Sequence, residues 1–265
     1  MRDVVIGQYY PQNSLMHKLD PRVKLLGTLV FLVSVFFIRN IPSFVLVTLF
    51  FAACVLLSRV PFRLMLRSIR GILVILVISI VLSLFMTPGT EIFRAGILRV
   101  TREGAERGVF TLIRLTYLVT GASLMTLTTT PNKLTDGMEK GLGFLKIFHV
   151  PVHEISMMMS IALRFIPILM DELDKIMRAQ KARGADFDSK NQIKRIKSMI
   201  PIIVPLFVSA IRRADDLANA MEARCYHGGE GRTKMKPLKY ARRDFAAYAV
   251  LAVYLAGVIC LSILF

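Results

Sequence analysis

The sequence predicts an all-α polytopic membrane protein, with about five transmembrane helices and a cytoplasmic or interfacial domain of long crossing helices. Three observations carry this. Of 265 residues, 54% are apolar, and the mean hydropathy is +0.56. No Asp or Glu occurs between Arg22 and Thr90, as suits lipid, where an ionised side chain near the midplane costs roughly 2.5–3.5 kcal/mol. The chain closes on Phe245–Phe265, 21 uncharged residues behind a basic stop at Arg242-Arg243.

The apolar runs follow in order. Leu25–Ile38 ends at Arg39-Asn40, Ser43–Ser58 at Arg59, and Gly71–Thr87 at Pro88-Gly89. Each is short against the ~20 residues a span needs, and Lys24, Arg39, Arg59 and Arg70 can snorkel to extend them. A fourth span runs from about Gly108 to Thr130 and contains Arg114, placed near its outer end or facing the protein interior. Phe245–Phe265 is the fifth. Residues 1–130 thus form a membrane domain, 131–240 a cytoplasmic domain, and 241–265 a closing transmembrane helix.

Loop charge sets the orientation. With the N-terminus cytoplasmic in the inner membrane, the 59–70 loop lies inside with four arginines and no acid, and the inside 131–244 segment holds 21 of the 35 Lys+Arg. The outside 88–107 segment is mixed, and its Glu91–Val100 stretch reads as a short interfacial helix or a hairpin. The balance follows the positive-inside rule, which also accounts for the net charge of +17; a nucleic-acid partner is not needed to explain it, and the lipid bilayer is.

The 131–240 region is not an ordinary loop. Pro131 opens a short helix to about Phe148. Pro151 opens a long one ending near Gly184, with Ile155, Met158, Met159, Ala162, Phe165, Ile166, Leu169, Leu173 and Ile176 at helical spacing. A second long helix, about Asn191 to Tyr226, carries Ile196, Ile200, Ile203, Phe207, Ile211, Ala214, Leu217 and Met221, with Pro201 and Pro205 expected to kink it. Both are expected partly in the membrane interface and partly beneath it.

Catalytic signals are missing. No Gly-x-x-x-x-Gly-Lys-Ser/Thr phosphate cradle occurs, and the glycine-rich 228–232 stretch reads as a link. The four histidines and three cysteines are scattered without metal-ligand or disulfide spacing, so neither a metal nor a cofactor is expected. The spans also lack the carboxylates of an ion-coupled carrier.

Two patterns remain. Aligned at a 41-residue offset, the long helices pair Asp174 with Asp215, Ile176 with Leu217 and Ala179 with Ala220. They end alike, in Ala182-Arg183-Gly184 and Ala223-Arg224-Cys225. One such end is a cation complementing a helix dipole. Two matched ends read as a pair of docking tips, in which small neighbours let a pocket close around a five-donor guanidinium. Second, Leu19-Asp20-Pro21-Arg22-Val23-Lys24-Leu25-Leu26 leads into the first span, with Asp20 as helix N-cap, Pro21 at N1, and Arg22 and Lys24 as snorkelling cations.

These motifs, spread over nearly the whole chain, resemble the transmembrane (T) component of energy-coupling factor transporters. The paired Ala-Arg-small ends followed by one last span are the specific part, and the Leu-Asp-Pro-Arg-x-Lys-Leu-Leu lead-in supports them. Cys225 departs from the family, which often has Gly there. The resemblance implies a non-catalytic subunit holding two ABC-type ATPases and a separate substrate-binding membrane subunit. Its long helices would act as coupling helices. The imported substrates would be vitamins in the shared-module group, or cobalt, nickel or biotin in dedicated systems. The tips, Ala182, Arg183 and Gly184 with Ala223, Arg224 and Cys225, would then engage the ATPases. Met157, Met158 and Met159 would contact the substrate subunit, as an adaptable surface or as filling for the helix crossing. The rival reading is a stand-alone channel or secondary transporter, which would need polar groups along a pore; only Arg114 qualifies.

The orientation is directly testable. In otherwise cysteine-free protein, a cysteine placed at Asn40 is expected to react with a membrane-impermeant thiol reagent from outside, and one at Lys190 only after permeabilisation. The opposite labelling would invert the topology.

Overall fold

In the computed structural model, the described residues are 9–38, 40–95, 98–141, 143–185, 187, 192–228, 235 and 237–264. The expected start of the second long helix at Asn191, the cation Arg39 and most of the glycine-rich link lie outside them. The chain divides into two compact units, one of Met1–Gly141 with Leu238–Phe265, the other of Leu142–Pro237.

In the first unit a short α1 (Leu15–Lys18) precedes α2 (Pro21–Phe37), α3 (Ile41–Ser58), α4 (Phe62–Arg70), α5 (Leu73–Met86), α6 (Arg102–Thr128), α7 (Pro131–Gly141) and the closing α10 (Arg242–Leu264). Helix α2 is central, packing on α6, α7 and α10. Its Phe31, Val35 and Ile38 form the buried core with Phe44 and Val47 of α3 and Leu251, Tyr254 and Val258 of α10. The Tyr254 hydroxyl satisfies itself on Ser34 Oγ at 2.6 Å, as a buried polar tip must. Arg114 of α6 donates from Nη2 to the Ile38 carbonyl at 2.7 Å. The intramembrane cation therefore faces the protein and caps the end of α2, where the backbone acceptors have no helical partner.

Outside this core the surface is apolar. Phe36, Phe37, Leu49, Leu56, Val253 and Ile263 are all more than 60% exposed. In α3 the apolar window has a mean hydropathy of 2.4 yet is only 22% buried. Such a surface is stable against lipid and not against water. Helices α3, α6, α8 and α10 are long and apolar enough to cross a membrane, and α4 with α5 makes a fifth candidate, bent by 64°.

Two expectations change, and one pair of alternatives is resolved in favour of the second. The 59–70 segment is not a loop. Its centre is α4, because Phe62, Met65 and Ile69 recur at helical spacing and Met65 packs at 2% exposure against Val60, Leu124 and Leu127. The Glu91–Val100 stretch is a hairpin, β1 (Glu91–Ala95) antiparallel to β2 (Leu98–Thr101); the other described elements are helical. The list of spans also shifts: α2, at 17 residues, falls below the length that defines the others, whereas α8, expected near the interface, reaches it.

The second unit holds a 3-10 turn (Gly143–Phe148), α8 (Val152–Ala182) and α9 (Gln192–Glu222). Both long helices run through internal prolines, Pro167 in α8 and Pro201 and Pro205 in α9. They pack through Ile161, Phe165 and Leu169 against Ala210, Ala214, Leu217 and Met221. Arg213 and Glu172, themselves 41 residues apart, close an ion pair across this contact at 3.3 Å.

Candidate functional site

The two Ala-Arg-small ends have the same backbone. Helix α8 stops at Ala182. Arg183 N–H bonds the Gln180 carbonyl at 3.1 Å, Gly184 N–H the Lys181 carbonyl at 3.0 Å, and Ala185 N–H reaches back to Gln180 at 3.0 Å. Forty-one residues later Arg224 N–H bonds Met221, Cys225 N–H bonds Glu222, and Tyr226 N–H reaches back to Met221, at 3.1, 2.8 and 3.0 Å. This closure, a six-residue reach-back over a left-handed residue, satisfies carbonyls the helix leaves unpaired. The left-handed residue is Gly184 at φ +87° and Cys225 at φ +56°. The offset seen in the sequence is therefore also a match in these three closing bonds, with the Arg183 N–H additionally shared with the Ala179 carbonyl at 3.2 Å.

All six tip residues, Ala182, Arg183, Gly184, Ala223, Arg224 and Cys225, are exposed. Among the described residues neither the Arg183 nor the Arg224 side chain has a hydrogen-bond or ion-pair partner. Each guanidinium thus stands exposed beside two small side chains, with no side-chain donor committed among the described residues.

The methionines lie at the other end of α8. Met157 is half-buried, while Met158 and Met159 are 58% and 40% exposed. Helix α9 adds an apolar face: Ile196, Ile200, Ile203, Phe207 and Ile211 are all exposed. The stripe expected along α9 thus divides, with Ala214, Leu217 and Met221 facing α8 and the residues before them open.

The lead-in motif is built differently. Asp20 caps α2, its Oδ1 accepting from Arg22 N–H at 2.9 Å, with Pro21 at the first helical position. Arg22 reaches the Leu238 carbonyl at 3.0 Å and lies 4.4 Å above the Tyr240 ring. Its Nε is 3.3 Å from Asp20 Oδ1, an ion pair whose angle falls short of a hydrogen bond. Lys24 is 9% exposed and spends its three donors on the carbonyls of Thr128 (2.9 Å) and His17 (3.4 Å) and on Thr129 Oγ1 (3.3 Å). His17 donates from Nε2 to the Tyr10 carbonyl, which leaves Nδ1 to accept from Ser14 Oγ; burial pushes its pKa below the ordinary value, so it stays neutral beside Lys24. Lys24 and Arg22 are therefore structural ties, not surface anchors. Pro21 also faces Gly137 of α7, where a Cβ would come within 2.8 Å of it, so α7 seats flush on α2.

The residue that completes the motif, Asp244, was not singled out by the sequence. It is 1% exposed. Oδ1 accepts from Asp20 N–H at 2.8 Å, and Oδ2 accepts from Ala241 N–H at 2.7 Å. The second bond is the return half of a capping box on α10; the first supplies the same service to α2. The available signal was a lone acid on the third residue of a helix that is otherwise apolar beyond it. Among the described residues no group of three His, Cys, Asp or Glu could hold a metal ion.

A multi-pass helical chain that carries its chemistry on two matched, exposed cationic helix ends is a membrane subunit built to engage other proteins. Residues 12–235 match the family described as CbiQ, cobalt transport protein. The energy-coupling factor transporter transmembrane protein EcfT of Ruminiclostridium cellulolyticum is 49% identical over 265 residues, covering 100% of this chain and 99% of that one. Its counterpart in Thermosediminibacter oceani is 49% identical over 257 residues, and that in Bacillus subtilis is 46% identical over 257, each spanning 97% of both chains. The chain belongs to this family of energy-coupling factor transmembrane components. It is a non-catalytic, multi-pass subunit of an energy-coupling factor transporter, and the channel and secondary-carrier readings fall away.

Four substitutions at three positions test the tie and the tips. Asp244→Ala leaves two buried N–H groups unpaired, at about 1–3 kcal/mol each, and is expected to lower the melting temperature in detergent sharply. Asp244→Asn, keeping one acceptor, should lose about half as much, and equal losses would contradict the two-helix role. At the tips, Cys225→Gly removes the left-handed penalty of an L-residue and should raise stability by about 1 kcal/mol, while Gly184→Ala should cost about as much. Melting curves of both variants check the pair.

Proposed function

We propose that this subunit links two ABC-type ATPases to a substrate-binding membrane subunit of a micronutrient importer, of vitamins or of metal ions, and transmits ATP-driven closure through α8 and α9. Arg183 and Arg224 dock in the ATPases. The small side chains of Ala182, Gly184, Ala223 and Cys225 let the grooves close. The Met157–Met159 cluster and the open face of α9 meet the substrate subunit. Residues 1–130 and 241–265 anchor the assembly in the cell membrane with the N-terminus cytoplasmic, and 131–240 form the coupling region.

The observation that carries this is the matched closure of the two helix ends, with the same three closing bonds at each and both guanidiniums exposed. Two tips of one geometry fit two partners of one fold. The open apolar face of α9 supports the second contact, because a surface that size in a stable protein is covered by lipid or by another chain. Met supplies the adaptability needed to receive more than one partner shape. The orientation rests on the loop arginines and on the 21 cations of the 131–244 segment.

The test is a substitution series in the whole transporter. A buried, charge-assisted arginine contact loses roughly 2–5 kcal/mol on truncation. Arg183→Ala and Arg224→Ala should each weaken uptake. The double change should abolish uptake and strip the ATPases in a pull-down, and the double Lys variant should rescue poorly for want of a planar fork. As mere dipole caps the arginines would contribute ~0.3–1 kcal/mol, and Lys would serve equally. Normal uptake with ATPases retained in the double Ala variant would refute the docking role.

A further inference from the structure

The first unit contains an elongated groove of about 430 Å³ that no described side chain fills. It runs along α2 and α10, from Lys24, Thr128 and Arg243 at one end to Phe31, Phe50 and Leu251 at the other. At a rise of ~1.5 Å per residue, Arg243 to Leu251 covers ~12 Å of helix axis. Away from the first end Thr28 and Cys54 are the lining side chains that carry a polar atom, and the charged groups of the lining sit only at that end. There Lys24 is tied to the Thr128 carbonyl, and Asp244, next to Arg243, to the backbone of Asp20. Beyond them the walls are otherwise apolar. Arg243 is exposed and, among the described residues, has no hydrogen-bond or ion-pair partner.

Gly27 gives the groove a second signature. Glycine weakens a helix interior, and its usual justification is a neighbour that needs the room. Gly27 has none: nothing lies within 4 Å of where its Cβ would stand, yet it lines the groove. What its missing side chain leaves free is the groove itself.

We propose that this groove holds one acyl chain of an anionic phospholipid, with the lipid phosphate on Arg243. A slot that is apolar along its length and cationic at one mouth has the polarity of a phospholipid, headgroup at the interface and chain toward the midplane. The arginine satisfies the phosphate bidentately, and the bilayer around the first unit supplies the ligand at high local concentration. The site depends on the membrane embedding alone and not on what Arg183 and Arg224 bind.

Native mass spectrometry of the delipidated whole complex, titrated with phosphatidylglycerol and with phosphatidylcholine, tests this. The wild type should take up one tightly held phosphatidylglycerol per copy of this subunit and prefer it over phosphatidylcholine by about fivefold, the effect of one cation near an anionic lipid surface. Gly27→Leu fills the slot and should lose tight binding of both lipids. Arg243→Gln, at an exposed position the fold does not use, should keep chain binding and lose the preference. Should Gly27→Leu fail to fold, Arg243→Gln still decides. Unchanged lipid uptake in folded Gly27→Leu, or an intact preference in Arg243→Gln, overturns the proposal. So does a Gly27→Leu complex that keeps its lipid and sheds a partner subunit, since the groove would then be a protein interface. Failure here leaves uptake by the wild type and the arginine series untouched, so the two readings are separable.

Discussion

Four charged side chains taken out of water at one spot hold the membrane unit together: Asp20, Arg22, Lys24 and Asp244. Burying a single ion there would be prohibitive, but two carboxylates and two cations balance, and most of their contacts go to backbone groups or to each other. Lys24 holds the end of α6, Arg22 holds the irregular segment leading to α10, and Asp244 joins the starts of α2 and α10. Segments more than two hundred residues apart in sequence thereby share one capping system. Apolar packing in lipid has little power to choose register, because hydrocarbon tails compete equally for every apolar face. The directional, desolvated polar bonds make that choice.

This explains why a motif that reads as a helix start plus two snorkelling cations is something else in the fold. The N-cap reading of Asp20 and Pro21 was fully legible, because capping is local. The destinations of Arg22 and Lys24 were not, because a cation before an apolar run looks the same whether it rises to lipid headgroups or turns inward to carbonyls. Asp244 was invisible for the complementary reason. One acid in the first turn of a helix is ordinary, and only its two partners, one of them across the whole chain, make it a tie.

The spans show the same boundary between local and distant information. The acid-free stretch and the uncharged C-terminal run announced membrane helices. The four arginines between Arg59 and Arg70 obscured α4, since charge density reads as loop until the spacing of Phe62, Met65 and Ile69 is counted separately. On α9 the periodicity was read correctly as an apolar face, yet period alone does not say what covers a face. Ala214, Leu217 and Met221 meet α8, while Ile196, Ile200, Ile203, Phe207 and Ile211, on the same stripe, stay exposed.

The tips carry the most information per residue, because there sequence and geometry repeat together. A left-handed residue closes each helix, but only one is glycine. The second closure forms although Cys225 pays a steric penalty for it, so the reach-back hydrogen bond, and not glycine's freedom, sets the shape. That shape fixes each arginine one residue past the last helical turn, flanked by small side chains and free of internal partners. A repeat kept merely to end a helix would need a cap and a left-handed closure: any cation in the last turn would answer the dipole, and only the closing residue would favour glycine. Gly184 and Cys225 stand where each helix closes left-handed, while the small side chains of Ala182 and Ala223 leave each guanidinium open to a close approach, which is what the proposed docking requires.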